Sequence, residues 1–179
     1  MELSATAYVV LGMLRSEPRS GYEIKQAVDG STRFFWAASY GQIYPELAKL
    51  AKAGLVEGDP QPTGGRKRTV YRLTPAGRKE LRRWLEEPPT RLELRDEGLL
   101  KLFFAGAANR GKAAAIIDAR QRLAEEKLAA LRAIEPLAAE TASSDDPFPH
   151  LVLRYGLEMS EWTIAWCKRA RAELERSER

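Results

Sequence analysis

The sequence predicts a mainly α-helical protein of two domains, the first of which carries a small two-strand wing. Three observations predict this. Helical periodicity runs through most of the chain and gives way to strand-forming residues only between residues 55 and 73. The adjacent prolines Pro88 and Pro89 stop a helix, because neither offers a backbone N–H group. After them every periodic segment is helical, so we expect domains at residues 1–88 and 89–179.

Capping residues mark the first two helices. Ser4 precedes an apolar periodic run, which predicts a helix over about residues 4–15. Ser20 is followed three residues later by Glu23, the spacing of a capping box, which predicts a second helix ending near Val28. The expected buried stripe of the first helix consists of Tyr8, Val9, Leu11 and Leu14.

The stretch SYGQIYPELAKLAKAGLV, residues 39–56, supplies the third helix. A glycine near a helix start permits close backbone approach, and an early proline costs little because the first N–H groups have no intrahelical partner. Gly41 and Pro45 therefore mark where this helix begins. The expected core face has Ile43, Leu47 and Leu50, and the opposite side has Ser39, Tyr40, Gln42, Tyr44, Glu46 and Lys49.

A two-strand ribbon and a fourth helix complete the first domain. Residues 55–58 and 69–73 predict antiparallel strands, joined by DPQPTGGRKR, in which three cations follow two glycines. Thr74 and Pro75 supply an N-cap and a first helical residue for a helix that reaches about Glu86. Three helices followed by a ribbon with a basic loop is the order of a winged helix-turn-helix.

This order indicates DNA binding. In a winged helix-turn-helix the third helix enters the major groove, and side chains near its N-terminus read base edges. Gln42 can bond an adenine in a bidentate way, and tyrosine hydroxyls and Ser39 suit phosphate contacts. The cations at 66–68 can follow the phosphate backbone or enter the minor groove. The plain alternatives are a solvated helix face, with Tyr40 and Tyr44 packed in the core, and a hairpin tip that is only soluble.

Composition and charge narrow the function classes. The formal net charge is +4, and all the excess positive charge falls within residues 1–90. Cys167 is the single cysteine and His150 the single histidine, so we expect no internal disulfide, no metal cluster and a reducing, cytoplasmic location. GDPQPTGGRK lacks the Gly-Lys-Ser/Thr of a phosphate-binding P-loop. We also expect no signal peptide, no membrane association, no cofactor and no catalysis.

The second domain is predicted to be all helical, over about residues 96–108, 111–139 and 149–176. In the middle helix, apolar residues recur at the spacings of a coiled-coil seam. They are Ile117, Ala124, Leu128, Leu131 and Ala138.

The last helix is apolar on more than one face. One stripe consists of Leu151, Tyr155, Met159, Trp162 and Trp166, and further apolar residues, Leu153, Leu157 and Ile164, lie off it. One neighbouring helix cannot bury both faces, which favours an isologous dimer interface over ordinary intrachain core. Trp162 and Trp166 are one turn apart and suit either a pocket for a planar effector or plain packing at the interface.

These residues resemble a known family, the PadR-like transcriptional regulators. The resemblance rests on AYVVLGMLRSEPRSGYEIKQAV at 7–28, the G-x-I-Y-P-x-L and AGLV of the third helix, VYRLTPAG at 70–77 and RDEGLLKLFF at 95–104. It implies a winged-helix domain and a helical C-terminal domain of the longer type, which dimerises and often holds the effector response. Members are commonly repressors released by a small molecule or another signal, and no particular signal is implied here.

The resemblance also implies which residues contact an operator in double-stranded DNA. On the recognition helix they are Ser39, Tyr40, Gln42, Ile43 and Tyr44, and on the wing Arg66, Lys67 and Arg68. Tyr22 and Tyr71 are included as residues that either contact DNA or pack. The alternative from another class is a protein-interaction or small-molecule-binding module whose winged helix no longer reads DNA, which the basic wing disfavours.

Overall fold

The computed structural model describes residues 3–63, 66–89, 95–107, 110–141 and 146–176. The chain divides into two compact units, Met1–Leu92 and Glu93–Arg179. In the described residues, the first unit contains four α-helices and one antiparallel sheet, and the second contains three α-helices. The mainly helical class predicted from the sequence is confirmed.

The helices of the first unit begin where local capping chemistry places them. Ser4 Oγ accepts the Ala7 N–H at 3.1 Å, and Thr74 Oγ1 accepts the Gly77 N–H at the same distance. Both predicted N-caps are therefore confirmed. The four helices are α1 (Ala5–Met13), α2 (Gly21–Asp29), α3 (Tyr40–Lys52) and α4 (Pro75–Glu86).

Helix α2 begins with the predicted capping box. Ser20 Oγ accepts the Glu23 N–H at 3.4 Å, and Glu23 Oε2 accepts the Ser20 N–H at 2.8 Å. Two of the N–H groups that a helix start leaves without intrahelical partners are thereby satisfied. Helix α3 ends at Lys52, and Gly54, two residues later, has a φ of 70°, a left-handed conformation that favours glycine.

The wing is a three-stranded sheet and not the predicted two-strand ribbon. Strands β1 (Arg19–Ser20), β2 (Val56–Thr63) and β3 (Arg66–Leu73) have the order β1-β3-β2 and are antiparallel. Strand β1 is two residues long, too short to leave a periodic pattern. The ribbon also extends further than predicted, since Pro60 pairs with Thr69. Prolines are tolerated in β2 because it is an edge strand, where a missing N–H costs no ladder bond.

One hydrophobic core unites these elements. Helices α1, α2 and α3 contribute most of it, and the sheet and α4 complete it. Within the predicted stripe of α1, Tyr8, Leu11 and Leu14 are buried as expected, but Val9 is only half-buried and Val10 is fully buried. The largest fully buried side chains of this core are Leu11, Leu14, Ile24, Ile43, Leu47, Leu50, Val10 and Val28.

The second unit consists of α5 (Glu97–Phe103), α6 (Arg110–Thr141) and α7 (Phe148–Arg176). Helices α6 and α7 run antiparallel. The ion pairs between them show this, since Arg132 pairs with Glu161 near one end and Asp118 pairs with Arg171 near the other. Four of the five predicted seam residues of α6, Ile117, Ala124, Leu128 and Leu131, are buried, while Ala138 is half-buried. Glycine at 156 lets α7 approach Leu131 closely.

Candidate nucleic-acid interface

The solvent side of α3 carries the polar and aromatic residues that the sequence places there. Tyr40, Gln42 and Tyr44 are exposed, whereas Ile43 has an exposed fraction of 0% and belongs to the core. The predicted DNA contact by the Ile43 side chain is therefore wrong. Each helical residue turns about 100°, so the position between two outward residues points towards α1 and α2.

Gln42 caps its own helix. Its Oε1 accepts hydrogen bonds from the Ser39 backbone N–H at 2.9 Å and from the Ser39 hydroxyl at 3.1 Å. A bidentate contact to adenine needs Oε1 as an acceptor and Nε2 as a donor, but the two lone pairs of Oε1 are already used. As it stands, Gln42 offers only its Nε2 donors to a base. The Ser-x-x-Gln spacing was the sequence signal for this cap.

Three tyrosines form a stacked surface cluster, here called the tyrosine cluster. Tyr22 of α2 stacks on Tyr40 with ring centroids 6.4 Å apart, and Tyr40 stacks on Tyr44 at 6.2 Å. Their exposed fractions are 55%, 43% and 50%. Because all three rings lie at the surface, the alternative in which Tyr40 and Tyr44 pack in the core is excluded. The cluster places three hydroxyl groups beside the start of α3.

Gly21 holds the Tyr44 ring in place by lacking a side chain. A Cβ built at Gly21 would lie 2.6 Å from Tyr44 Cε1 and 2.9 Å from Tyr44 Cζ. Neither distance is compatible with an alanine in this position while the ring stays where it is. The glycine that opens α2 therefore sets the position of an aromatic side chain of α3, a relation that no local sequence pattern indicates.

The wing lies next in the chain. Of its three predicted cations, Arg66 and Lys67 are in the first residues of β3, opposite Thr63 and Pro62, and their side chains lie outside the described residues. The tip glycines, 64 and 65, also lie outside them. Arg68 lies within the described residues, and its side chain is half-exposed.

Arg68 bonds to α2. Its Nη2 donates to Glu23 Oε1 at 2.7 Å, while the other carboxylate oxygen of Glu23 serves the capping box. The hydrogen bonds from the Ser20 backbone and hydroxyl, with a smaller effect from Arg68, hold the pKa of the Glu23 carboxyl below its ordinary value. Glu23 is thus an anion at neutral pH. The sequence indicates only a capping role for Glu23, because Arg68 is 45 residues away.

Tyr71 has a packing position. It is half-buried against the hydrophobic core, and a Cβ at Gly58 on the neighbouring strand would lie 3.0 Å from its ring. Tyr22, by contrast, is exposed and belongs to the tyrosine cluster. Of the two tyrosines whose role the resemblance left open, Tyr22 is therefore the one available to a partner.

Helix α7 leaves most of its predicted stripe uncovered. Leu151, Tyr155, Met159 and Trp162 are all exposed, and Trp162 has an exposed fraction of 54%. The side of α7 that is buried carries Leu153, Ser160 and Cys167. Trp166 is half-buried below the guanidinium of Arg120, 5.9 Å from its ring centroid.

An open groove of about 740 Å³ lies among α5, α6 and α7. Its lining mixes cations with apolar side chains, and includes Lys101, Arg120, Leu123 and Met159. Arg120 also bonds to Asp96, the N-cap of α5. Neither Trp162 nor Trp166 lines this groove.

Two kinds of feature are absent from the described residues. No group of three or more His, Cys, Asp or Glu side chains is arranged to hold a metal ion. No helix in these parts of the chain is both long and apolar enough to cross a membrane.

Comparison with protein-family models covers both units. Residues 10–83 match the model of the transcriptional regulator PadR-like family, and residues 94–175 match the model described as virulence activator alpha C-term. The negative transcriptional regulator PadR of Bacillus subtilis (strain 168) is 31% identical over 176 residues. That alignment covers 94% of this chain and 97% of the relative.

Solved structures align with this chain over nearly its whole length. The crystal structure of Bacillus subtilis PadR in complex with operator DNA aligns with a TM-score of 0.83 and 29% identity, covering 96% of this chain and 99% of that one. The structure of the same protein in complex with p-coumaric acid aligns with a TM-score of 0.75 and 28% identity. This second alignment covers 97% of this chain and 99% of the other.

Proposed function

This chain belongs to the PadR-like family of transcriptional regulators, and we propose that it acts as a homodimeric repressor that leaves its operator when a small molecule binds. It is a DNA-binding regulator of transcription. The observation that carries the proposal is the arrangement around the start of α3, where the tyrosine cluster lies at the surface and Arg68 of the wing bonds to the adjoining helix.

We place the start of α3 in the major groove. Its exposed side chains lie beside N–H groups and the positive end of the helix dipole, which favour phosphate and base acceptors. In this arrangement Gln42 donates from Nε2 to a base, and the hydroxyls of the tyrosine cluster donate to phosphates. The proposed contact residues are Ser39, Tyr40, Gln42, Tyr44 and Tyr22, with Arg66, Lys67 and Arg68 on the wing.

We propose that the uncovered stripe of α7 is the dimer interface. Leu151, Tyr155, Met159 and Trp162 form an apolar surface along one helix, and an isologous contact buries the same surface on both copies. Two copies are needed to read a two-fold symmetric operator, whose half-sites lie about 34–36 Å apart. Light scattering at micromolar concentration should give twice the 20.1 kDa chain mass, and a monomer would contradict this part of the proposal.

The effector response is supported by a relative. Bacillus subtilis PadR has been crystallised with p-coumaric acid, and this chain aligns with that structure over nearly its whole length. We propose that a small molecule binds the second unit, in the groove among α5, α6 and α7, and shifts the protein away from its DNA-bound form. We further propose that the protein is not an enzyme and works in the cytoplasm, beside the DNA that it regulates.

Selection of duplexes from a random-sequence pool tests the function. The full chain should enrich a two-fold symmetric sequence with half-sites about one helical turn apart. Recovery of no common sequence, with duplexes held no better than the starting pool, would contradict a DNA-reading function. It would favour the alternative in which the winged helix is a module for binding another partner.

A further inference from the structure

A single carboxylate joins α2 to the wing. Glu23 Oε2 accepts from the Ser20 backbone N–H and from the Ser20 hydroxyl, both at 2.8 Å. Glu23 Oε1 accepts from Arg68 Nη2 at 2.7 Å. One oxygen therefore belongs to the helix cap and the other to β3.

These bonds close a ring of contacts. Ser20 lies in β1 and pairs with Val70 of β3, and Arg68 is two residues before Val70 on the same face of the strand. The ring runs from Ser20 to Val70, along β3 to Arg68, and back through Glu23 to Ser20. The strand is therefore attached to residues 20–23 at two points, its backbone pairing with β1 and the bond from Arg68 to Glu23.

The same short stretch of α2 also contacts the recognition helix. Tyr22 stacks on Tyr40, the first residue of α3, and Gly21 lies against the ring of Tyr44. Residues 20–23 thus contact both α3 and β3, the two elements that we propose to meet DNA.

We propose that Glu23 is a positioning residue for operator recognition, which holds Arg68 so that the wing meets a phosphate at a fixed distance from the bases read by α3. The inference rests on the proposed DNA-reading function. A guanidinium has five N–H donors, so Arg68 can bond Glu23 through Nη2 and still donate to phosphate. An exposed ion pair contributes little to folding stability, so its effect is expected in the choice of DNA.

Glu23→Gln is the informative variant. A glutamine in this position can keep the helix cap, because Gln42 makes the equivalent bond to the Ser39 N–H in α3. It removes the anionic partner of Arg68. The matched control is Glu57→Gln, which makes the same change of charge at a carboxylate bonded to Arg72 of β3, 3.1 Å away, but breaks no bond to α2.

The measurement is fluorescence anisotropy with a labelled duplex selected by the wild-type protein and with a scrambled duplex of the same composition. Glu23→Gln should lower the ratio of the two affinities by about threefold, the size expected of an exposed pair. Glu57→Gln should leave the ratio unchanged. In the Arg68→Ala background, Glu23→Gln should have no further effect, because a positioning role acts only through Arg68.

An unchanged ratio in Glu23→Gln, or an equal loss in the Arg68→Ala background, would overturn the inference. If Glu23→Gln melts at a lower temperature, the Arg68→Ala background decides, because a general loss of folding lowers the ratio there as well, whereas a positioning role does not. A wild-type protein that prefers neither duplex would contradict the proposed function itself. That result differs from the outcomes for the variants, which bear only on the role of Glu23.

Discussion

Replacing Gly21 with alanine puts a methyl group where the Tyr44 ring now lies. The new Cβ would be 2.6 Å from Tyr44 Cε1, and ordinary van der Waals contact begins near 3.4 Å, so the ring must move by about 0.8 Å. Tyr44 is half-exposed and can swing towards solvent. An off-rotamer side chain costs about 0.5–1.5 kcal/mol, so the protein should still fold.

DNA binding should suffer more than folding. If the Tyr44 hydroxyl donates to a phosphate, a displaced ring loses a hydrogen bond to a charged group, which contributes about 1.5–3 kcal/mol. Operator affinity should therefore fall about tenfold or more, while the melting temperature shifts by a few degrees. Fluorescence anisotropy with a selected duplex and circular dichroism on heating measure the two quantities.

Two further variants identify the cause. Gly12→Ala, in α1, meets nothing within 4 Å and should leave DNA affinity unchanged. The double variant Gly21→Ala, Tyr44→Ala should bind DNA as Tyr44→Ala does alone, because the methyl group then has no ring to displace. Wild-type operator affinity in Gly21→Ala would refute the reasoning, as would equal losses in Gly21→Ala and Gly12→Ala.

Three other substitutions test separate contacts. Gly77→Ala places a Cβ 2.0 Å from the Leu55 carbonyl oxygen, so the free energy of unfolding should fall by about 1–3 kcal/mol or more, and a wild-type melting curve would contradict this. Tyr8→Phe removes the hydroxyl that donates to Glu80 at 2.9 Å. The free energy of unfolding, measured by urea titration, should fall by about 1 kcal/mol. An unchanged free energy of unfolding would show that this bond does not stabilise the fold. Gln42→Glu keeps an acceptor for the helix cap but loses the Nε2 donors and adds a negative charge. The melting temperature should therefore stay the same while operator affinity falls. An unchanged operator affinity would show that Gln42 is not part of the interface.

Local chemistry explains why the helices of the first unit could be predicted. Ser4, Ser20 and Thr74 each cap a helix through a bond to a residue three positions later, so the signal lies within one turn of sequence. The same reasoning extends to α3, whose start at Tyr40 follows Ser39. In the second unit, the seam of α6 could be predicted from its apolar spacing, and four of its five residues are buried.

Non-local contacts explain what could not be predicted. Strand β1 exists only because β3 pairs with two residues that lie 50 and 52 positions earlier, and Arg68 meets Glu23 across 45 residues. Helical spacing left the direction of Tyr44 open, since a residue beside the core face can turn either way. The missing side chain of Gly21 decides it, and that choice depends on how α2 packs against α3.

The most direct test of the DNA-reading account is the salt dependence of binding by the full chain to a selected duplex and to a scrambled one. We expect tighter binding to the selected duplex at every salt concentration. The logarithm of each affinity should fall linearly with the logarithm of the salt concentration. The slope should depend on the number of phosphates that the wing and the tyrosine cluster contact. Equal affinities for the two duplexes, or affinities that do not respond to salt, would contradict the account.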